Sequence, residues 1–168
     1  MGADSTEPSE RARYWSDVLR REQRALFGAA LAMCRQTADA EDLVQDTLLH
    51  LARSPRRVLE PLAYAVRSMR NRRLSAARRD ALHSAALVSL RATVDTARAP
   101  SHRTSELLAA VERLPADQQE VLALRTRAGL SFPQIAMVLD EPVGTVSSRY
   151  SRGIAALKGM MPEGASRG

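Results

Sequence analysis

The sequence predicts an all-α fold made of two small helical domains joined by a flexible linker. Three observations carry this reading. Ala, Leu and Arg dominate a chain of 168 residues that is 45% hydrophobic but only 4% aromatic, and strands draw on aromatic and β-branched residues whereas helices do not. Apolar residues recur at three- and four-residue spacing through two long stretches. Between them, residues 81–105 lose that period and fill with Ala, Ser and Thr, the composition of a tether. The length suffices to bury a core. No apolar run approaches the ~20 residues of a membrane span. The polar, acidic start is not a secretory signal, so a soluble cytoplasmic chain is expected. A single cysteine, Cys34, excludes an internal disulfide and any cysteine-based zinc cluster.

The expected layout is a disordered tail over 1–10, a first domain over 11–80, a linker over 81–104, a second domain over 105–161 and a tail over 162–168. In the first domain, Leu19, Leu26, Phe27, Ala30, Leu31 and Cys34 mark one helix face, and Leu43, Val44, Leu48 and Leu51 mark a second. Asp39 is placed to cap the second helix, with Glu41 and Asp42 favourable in its first turn. Ser54-Pro55 stops it. Leu62, Val66 and Met69 start a third helix whose outer face is expected to be a stripe of arginines.

In the second domain, Leu107, Leu108 and Val111 form a short helix ending at Leu114-Pro115. Val121, Leu122 and Leu124 lie on another, stopped by Gly129 as a left-handed cap. Ser131 and Gln134 have the spacing of a capping box, opening a helix with Ile135, Ala136, Val138 and Leu139 inward. Asp140-Glu141-Pro142 then breaks the chain, and the next helix is expected to bury Val143, Val146, Tyr150 and Leu157. A small residue, a turn residue and an apolar lock at Ala136, Asp140 and Val146 fit a helix-turn-helix; the plain alternative is an ordinary helical hairpin.

The formal net charge is +6, and it is concentrated. Residues 53–80 carry nine arginines against Glu60 and Asp80, whereas residues 36–52 contain four acids and no Lys or Arg. An arginine run of this density is a candidate phosphate-binding surface, the bland alternative being a solvated helix face. Arg67, Arg70, Arg72 and Arg73 with Asn71 could follow a nucleic-acid backbone, and Tyr64 could stack a base. On the last helix Thr145, Ser148, Arg149 and Arg152 lie opposite the apolar stripe, where a recognition helix meets base edges and phosphates. Asp42, Gln45, Asp46 and Leu49 offer an acidic and apolar patch to a basic protein partner.

Catalytic signatures are lacking. His50, His83 and His102 are scattered, and no metal-binding HExxH, glycine-rich phosphate loop or nucleophile elbow occurs. An enzyme, a metal site, a cofactor and a small-molecule substrate are therefore not expected. Cys34, on an apolar face, reads as a small buried hydrophobe rather than a redox sensor.

These motifs resemble the extracytoplasmic-function (group IV) sigma factors of the sigma-70 family, over about residues 12–160. Asp39-Ala-Glu-Asp-Leu-Val-Gln-Asp46 is similar to the polymerase-docking motif of sigma region 2. Tyr64-Ala-Val-Arg-Ser-Met-Arg-Asn71 is similar to the region 2 helix that melts and reads the minus-ten element. Leu114 to Leu122, Gly129 to Ala136 and Pro142 to Arg149 are similar to region 4, whose recognition helix reads the minus-thirty-five element. The resemblance implies a region 2 bundle and a region 4 helix-turn-helix. It implies core RNA polymerase (its β′ clamp helices and β flap), promoter DNA and an anti-sigma factor as partners, with no membrane insertion. It assigns Asp42, Gln45, Asp46 and Leu49 to the polymerase. Tyr64, Arg67, Arg70, Asn71, Arg72 and Arg73 fall to the minus-ten element, and Thr145, Ser148, Arg149 and Arg152 to the minus-thirty-five element. Departures are Tyr64 in place of a usual tryptophan, a short loop at 53–60, Asp140 for a common turn glycine, and Ser147, Gly153 and Ile154 at positions often basic in relatives. A sigma-like decoy that binds an anti-sigma factor, and a stand-alone helix-turn-helix repressor, are the competing readings.

Overall fold

The computed structural model describes residues 8–34, 36–53, 58–83 and 102–160, all helices and short connections. The elements are α1 (Pro8–Met33), α2 (Thr37–Ala52), α3 (Pro61–His83), α4 (His102–Glu112), α5 (Ala116–Thr126), α6 (Phe132–Leu139) and α7 (Val143–Met160). α1 to α3 form one cluster and α4 to α7 the other, as the two stretches of helical period predict. The ends of this plan shift. α1 begins at Pro8, within the expected tail, and α3 and α4 reach His83 and His102, into the expected linker. The remainder of that linker, both tail ends and residues 54–57, including Ser54-Pro55, lie outside the described residues.

The first cluster is organised by a residue that periodicity alone did not single out. Trp15 is buried, edge-on to Tyr14 (5.2 Å between centroids) and stacked on Tyr64 (6.1 Å). Around it close Val18, Leu26, Ala29 and Ala30 of α1, Leu51 of α2, and Ala63, Ala65, Val66 and Met69 of α3. The small residues let three helices approach closely enough to fill space without larger side chains. Tyr14 Oη donates to the Val58 carbonyl at 3.2 Å and fixes the approach to α3.

α2 starts differently from expectation. Its N-cap is Gln36, without a side-chain cap hydrogen bond, and Asp39 lies inside the first turn. Asp39 therefore acts on the helix dipole rather than as a cap. The buried positions of α2 are Ala40, Thr47 and Leu51; of the apolar set read from the sequence Leu51 is buried, while Leu43, Val44 and Leu48 are half-buried.

The second cluster is nearer its forecast. Ser131 accepts from Gln134 N–H while the Gln134 side chain accepts from Ser131 N–H, completing the capping box. Ile135, Ala136, Val138 and Leu139 are all buried. Gly129 has φ +67° and Asp140 φ 61°, both left-handed turns. α7 corrects the forecast: Val146 and Gly153 are buried, Tyr150 and Leu157 are half-buried, and Val143 is exposed. A Cβ at Gly153 would come within 2.9 Å of Leu122 Cδ1. The glycine thus faces α5, where the Leu122 side chain would have to shift to admit a Cβ.

The two clusters pack on each other. α3 lies against α6 and α1 against α5, and buried residues of both clusters merge into one continuous apolar core. At Gly28, α1 meets the backbone of the α5–α6 connection so closely that a Cβ would overlap the Arg127 carbonyl, whose carbon is 2.7 Å from that position. Arg127 Nη1 returns to the Leu31 carbonyl at 3.2 Å, and burial lowers the pKa of its guanidinium.

Candidate nucleic-acid and polymerase interface

α2 and α3 enclose an open cleft of about 990 Å³. One wall carries Asp39, Asp42, Asp46 and His50 of α2; the other carries Tyr64, Arg67, Asn71, Arg72, Arg73 and Arg78 of α3. Helix-period repetition of acids on α2 and bases on α3 turns these two rows towards each other. The cleft thus joins two of the four residues expected for polymerase, Asp42 and Asp46, with all of those expected for minus-ten DNA except Arg70. Gln45 and Leu49 do not line it; both are exposed on α2, Leu49 by 60%.

The arginines of α3 do not form a single outer stripe. At 100° per residue, positions 67, 70, 72 and 73 fan over roughly 220° of the helix circumference. Each therefore meets a different neighbour. Arg67 pairs with Asp140 at 3.5 Å and donates to the Met137 carbonyl at 3.4 Å, both in the second cluster. Arg70 grips Glu120 through Nε (2.7 Å) and Nη2 (3.4 Å), which raises its pKa above the ordinary value. Arg72 pairs with Asp46 at 3.0 Å. Arg73 Nε caps the last carbonyl of α1, Met33, at 3.1 Å. Tyr64 is half-buried, one face stacked on Trp15 and an edge on the cleft. Asn71 is exposed.

The helix-turn-helix presents a second surface. α7 meets α6 through edge-on packing of Tyr150 and Phe132 at 5.3 Å, with Arg125 lying 5.2 Å over the Phe132 ring. Thr145 is half-buried in the first turn, with its N–H bonded to the Pro142 carbonyl at 3.0 Å. Ser148 and Arg152 are exposed. Arg149 turns back: it pairs with Asp117 of α5 at 2.9 Å and with Glu141 of the turn, contacts that raise its pKa, the Glu141 hydrogen bond most. Ser147, Ser148, Ser151 and Arg152 line a shallow outer groove. Ser147 and Ser151 join this face although neither was among the expected DNA contacts; their signal is helical spacing, Ser151 three residues after Ser148 and four after Ser147. Asp117 and Glu120 were likewise missed, because ion pairs across 32 and 50 positions leave no local pattern; Glu141, eight positions from Arg149, was read only as part of the turn.

Among the described residues, no group of His, Cys, Asp and Glu could hold a metal ion, and no helix is long and apolar enough to cross a membrane.

An all-helical chain with a capped helix-turn-helix behind an acidic and basic three-helix bundle is the architecture of a sigma-70 protein, and family comparison agrees. The sigma-70 region 2 family matches residues 18–82 and the sigma-70 region 4 family matches residues 104–157; the chain belongs to the sigma-70 family, within its extracytoplasmic-function group. It is 45% identical over 47 residues to the ECF RNA polymerase sigma-E factors of Escherichia coli (strain K12) and Salmonella typhimurium (strain LT2), a stretch covering 28% of this chain and 25% of each relative. The match therefore spans about a quarter of those proteins. Among solved structures, the sigma factor RpoE of Bartonella quintana, in complex with the anti-sigma factor NepR, superposes with a TM-score of 0.65 at 24% identity, over 88% of this chain and 96% of that one. CnrH, in complex with the cytosolic domain of CnrY, superposes with a TM-score of 0.60 at 23% identity, over 95% and 97%. Both likenesses speak for the fold.

Proposed function

We propose that this chain is an RNA polymerase sigma factor that directs promoter recognition and transcription initiation, and is not itself an enzyme. Asp42, Gln45, Asp46 and Leu49 on α2 bind the core enzyme, with its β′ clamp helices as the docking surface and the β flap receiving the second cluster. Tyr64, Arg67, Arg70, Asn71, Arg72 and Arg73 hold the melted minus-ten strand, cations to phosphates and the ring to a base. Thr145, Ser148 and Arg152 face the minus-thirty-five duplex, joined by Ser147 and Ser151, while Arg149 positions α7. Neither DNA surface need bind tightly, because the polymerase holds both on one molecule and raises their effective concentration. An anti-sigma factor is the expected inhibitor.

The observation that carries this reading is the order of the two sigma-70 regions along the chain, 18–82 then 104–157, each with its expected motif on a helix. A second reading, a sigma-like decoy for an anti-sigma factor, draws on the engagement of Arg67, Arg70 and Arg149 by carboxylates of the second cluster. Run-off transcription with purified core polymerase on a pool of genomic promoter fragments separates the two. The sigma reading expects discrete initiation that is lost on Arg152→Ala combined with Ser148→Ala. Absence of any initiation, with core binding intact, overturns it in favour of the decoy.

A further inference from the structure

The seam between the two clusters holds an unusual combination of features. Within the shared apolar core, its tightest point is a helix-on-backbone seat, Gly28 of α1 against Arg127–Ala128, too close for any side chain at residue 28. Its polar part consists of Arg70–Glu120 at 2.7 Å, Arg67–Asp140 at 3.5 Å and Gln134 to Glu60 at 3.1 Å. The Arg70 and Glu120 side chains are only 26% and 22% exposed. Two of the α3 arginines that face DNA in the proposed function are thus held by carboxylates of the other cluster. Glu120 and Asp140 there hold the guanidinium groups that the proposed function assigns to phosphates.

We propose that Gly28 is the keystone of an intramolecular latch: it seats α1 on the α5–α6 connection, and the closed form so made masks Arg67 and Arg70 from nucleic acid until the clusters part. The masking half of this rests on the sigma reading; the latch itself does not. The buried core continues across the seam, so opening the latch exposes apolar surface and calls for a partner that covers it. No covalent bond crosses the seam among the described residues, and Arg67–Asp140 is well exposed, at 44% and 80%, so salt and competing anions weaken it. Closing the chain on itself lowers apparent affinity for DNA by the fraction of open molecules. Free protein therefore ignores stray single strands, and a partner that separates the clusters releases both arginines together.

Gly28→Ala tests the keystone in the full chain. The added methyl suits a helix, where Ala is favoured over Gly by about 1 kcal/mol, and touches none of the proposed DNA or polymerase residues. It clashes with the Arg127 backbone and crowds Ala128 N of the closed form. Glu120→Gln is the second variant, removing the charge that holds Arg70 without entering the seat. Small-angle scattering at low salt should give the wild type a radius of gyration near the ~15 Å of a compact chain of this size, and both variants a larger one. Fluorescence anisotropy with a labelled 12-nucleotide single strand, without polymerase, should show Gly28→Ala binding at least threefold more tightly than wild type. Equal radii for all three proteins overturn the latch. Expansion with no gain in oligonucleotide affinity overturns the masking. The scattering result is independent of any transcription assay, so failure of the latch and failure of the sigma reading remain distinguishable.

Discussion

Asp46 of α2 and Arg72 of α3 meet at 3.0 Å across the open cleft, a carboxylate expected to face polymerase holding a guanidinium expected to face DNA. The pair is well exposed on the acidic side, Asp46 at 66%, so it contributes little to stability while fixing the direction in which Arg72 points. In the proposed function, a basic partner on α2 would compete for Asp46 and free Arg72. Docking and strand capture would then be coupled through one exchange of partners.

Charge reversal at this point separates fold from docking. Asp46→Lys should lower affinity for core polymerase by about tenfold or more, through like-charge contact with a basic partner. Loss of an exposed ion pair costs no more than about 1 kcal/mol, so Tm should move by about 2–4 °C at most. Unchanged core affinity in a binding titration would remove α2 from the polymerase surface.

Arg149 and Arg152 should divide by kind of defect. Arg149→Ala breaks contacts to Asp117 and Glu141 and should lower Tm, with DNA binding weakened only because α7 loses its support. Arg152→Ala should leave Tm unchanged and weaken minus-thirty-five binding by about 1–3 kcal/mol, roughly 5- to 150-fold. Paired melting and electrophoretic mobility measurements read both effects; a stable Arg149→Ala chain with full loss of binding would return Arg149 to the DNA face.

Restoring a basic residue at position 153 should do harm. Gly153→Arg drives a side chain at Leu122 and Gln118 of α5, overpacking that should cost about 1–3 kcal/mol. Chemical denaturation followed by far-UV circular dichroism checks this, and improved DNA affinity at unchanged stability would contradict it.

Cys34 contributes to the pH dependence of stability on the alkaline side. Burial pushes its thiol above the ordinary value, with Arg73 opposing and Asp39 adding to the rise. As pH climbs past the ordinary thiol range, the unfolded chain loses this proton while the folded chain keeps it. The folded state then binds more protons, and stability falls with pH. Wild type should show a steeper decline in Tm from neutral to alkaline pH than Cys34→Ala; parallel curves would show that Cys34 titrates alike in both states.

What could be read from the chain divides by the range of the interaction. The capping box at Ser131 and Gln134, the left-handed turn at Asp140 and the four inward residues of α6 are local chemistry, and all were legible. So were the two sigma-70 regions, whose motifs are short and contiguous. Trp15 was not, because a lone aromatic at the end of a weakly apolar stretch becomes central only when Tyr64 arrives from α3. Nor was the fate of the arginines: their number was plain, but which face each takes depends on Glu120 and Asp140, far away in sequence. Arg149 shows the same limit, since its spacing fits a reading head and only Asp117 reveals a strut.

The Trp15–Tyr64 stack leaves the molecule with a built-in optical reporter. Trp15 is the sole tryptophan of the chain, and it lies wholly within the first cluster. Emission excited at the red edge of the aromatic band thus watches that half alone, while ellipticity sums over both. Because Tyr64 shares an edge with the cleft, a strand entering there should alter the indole signal without any attached dye.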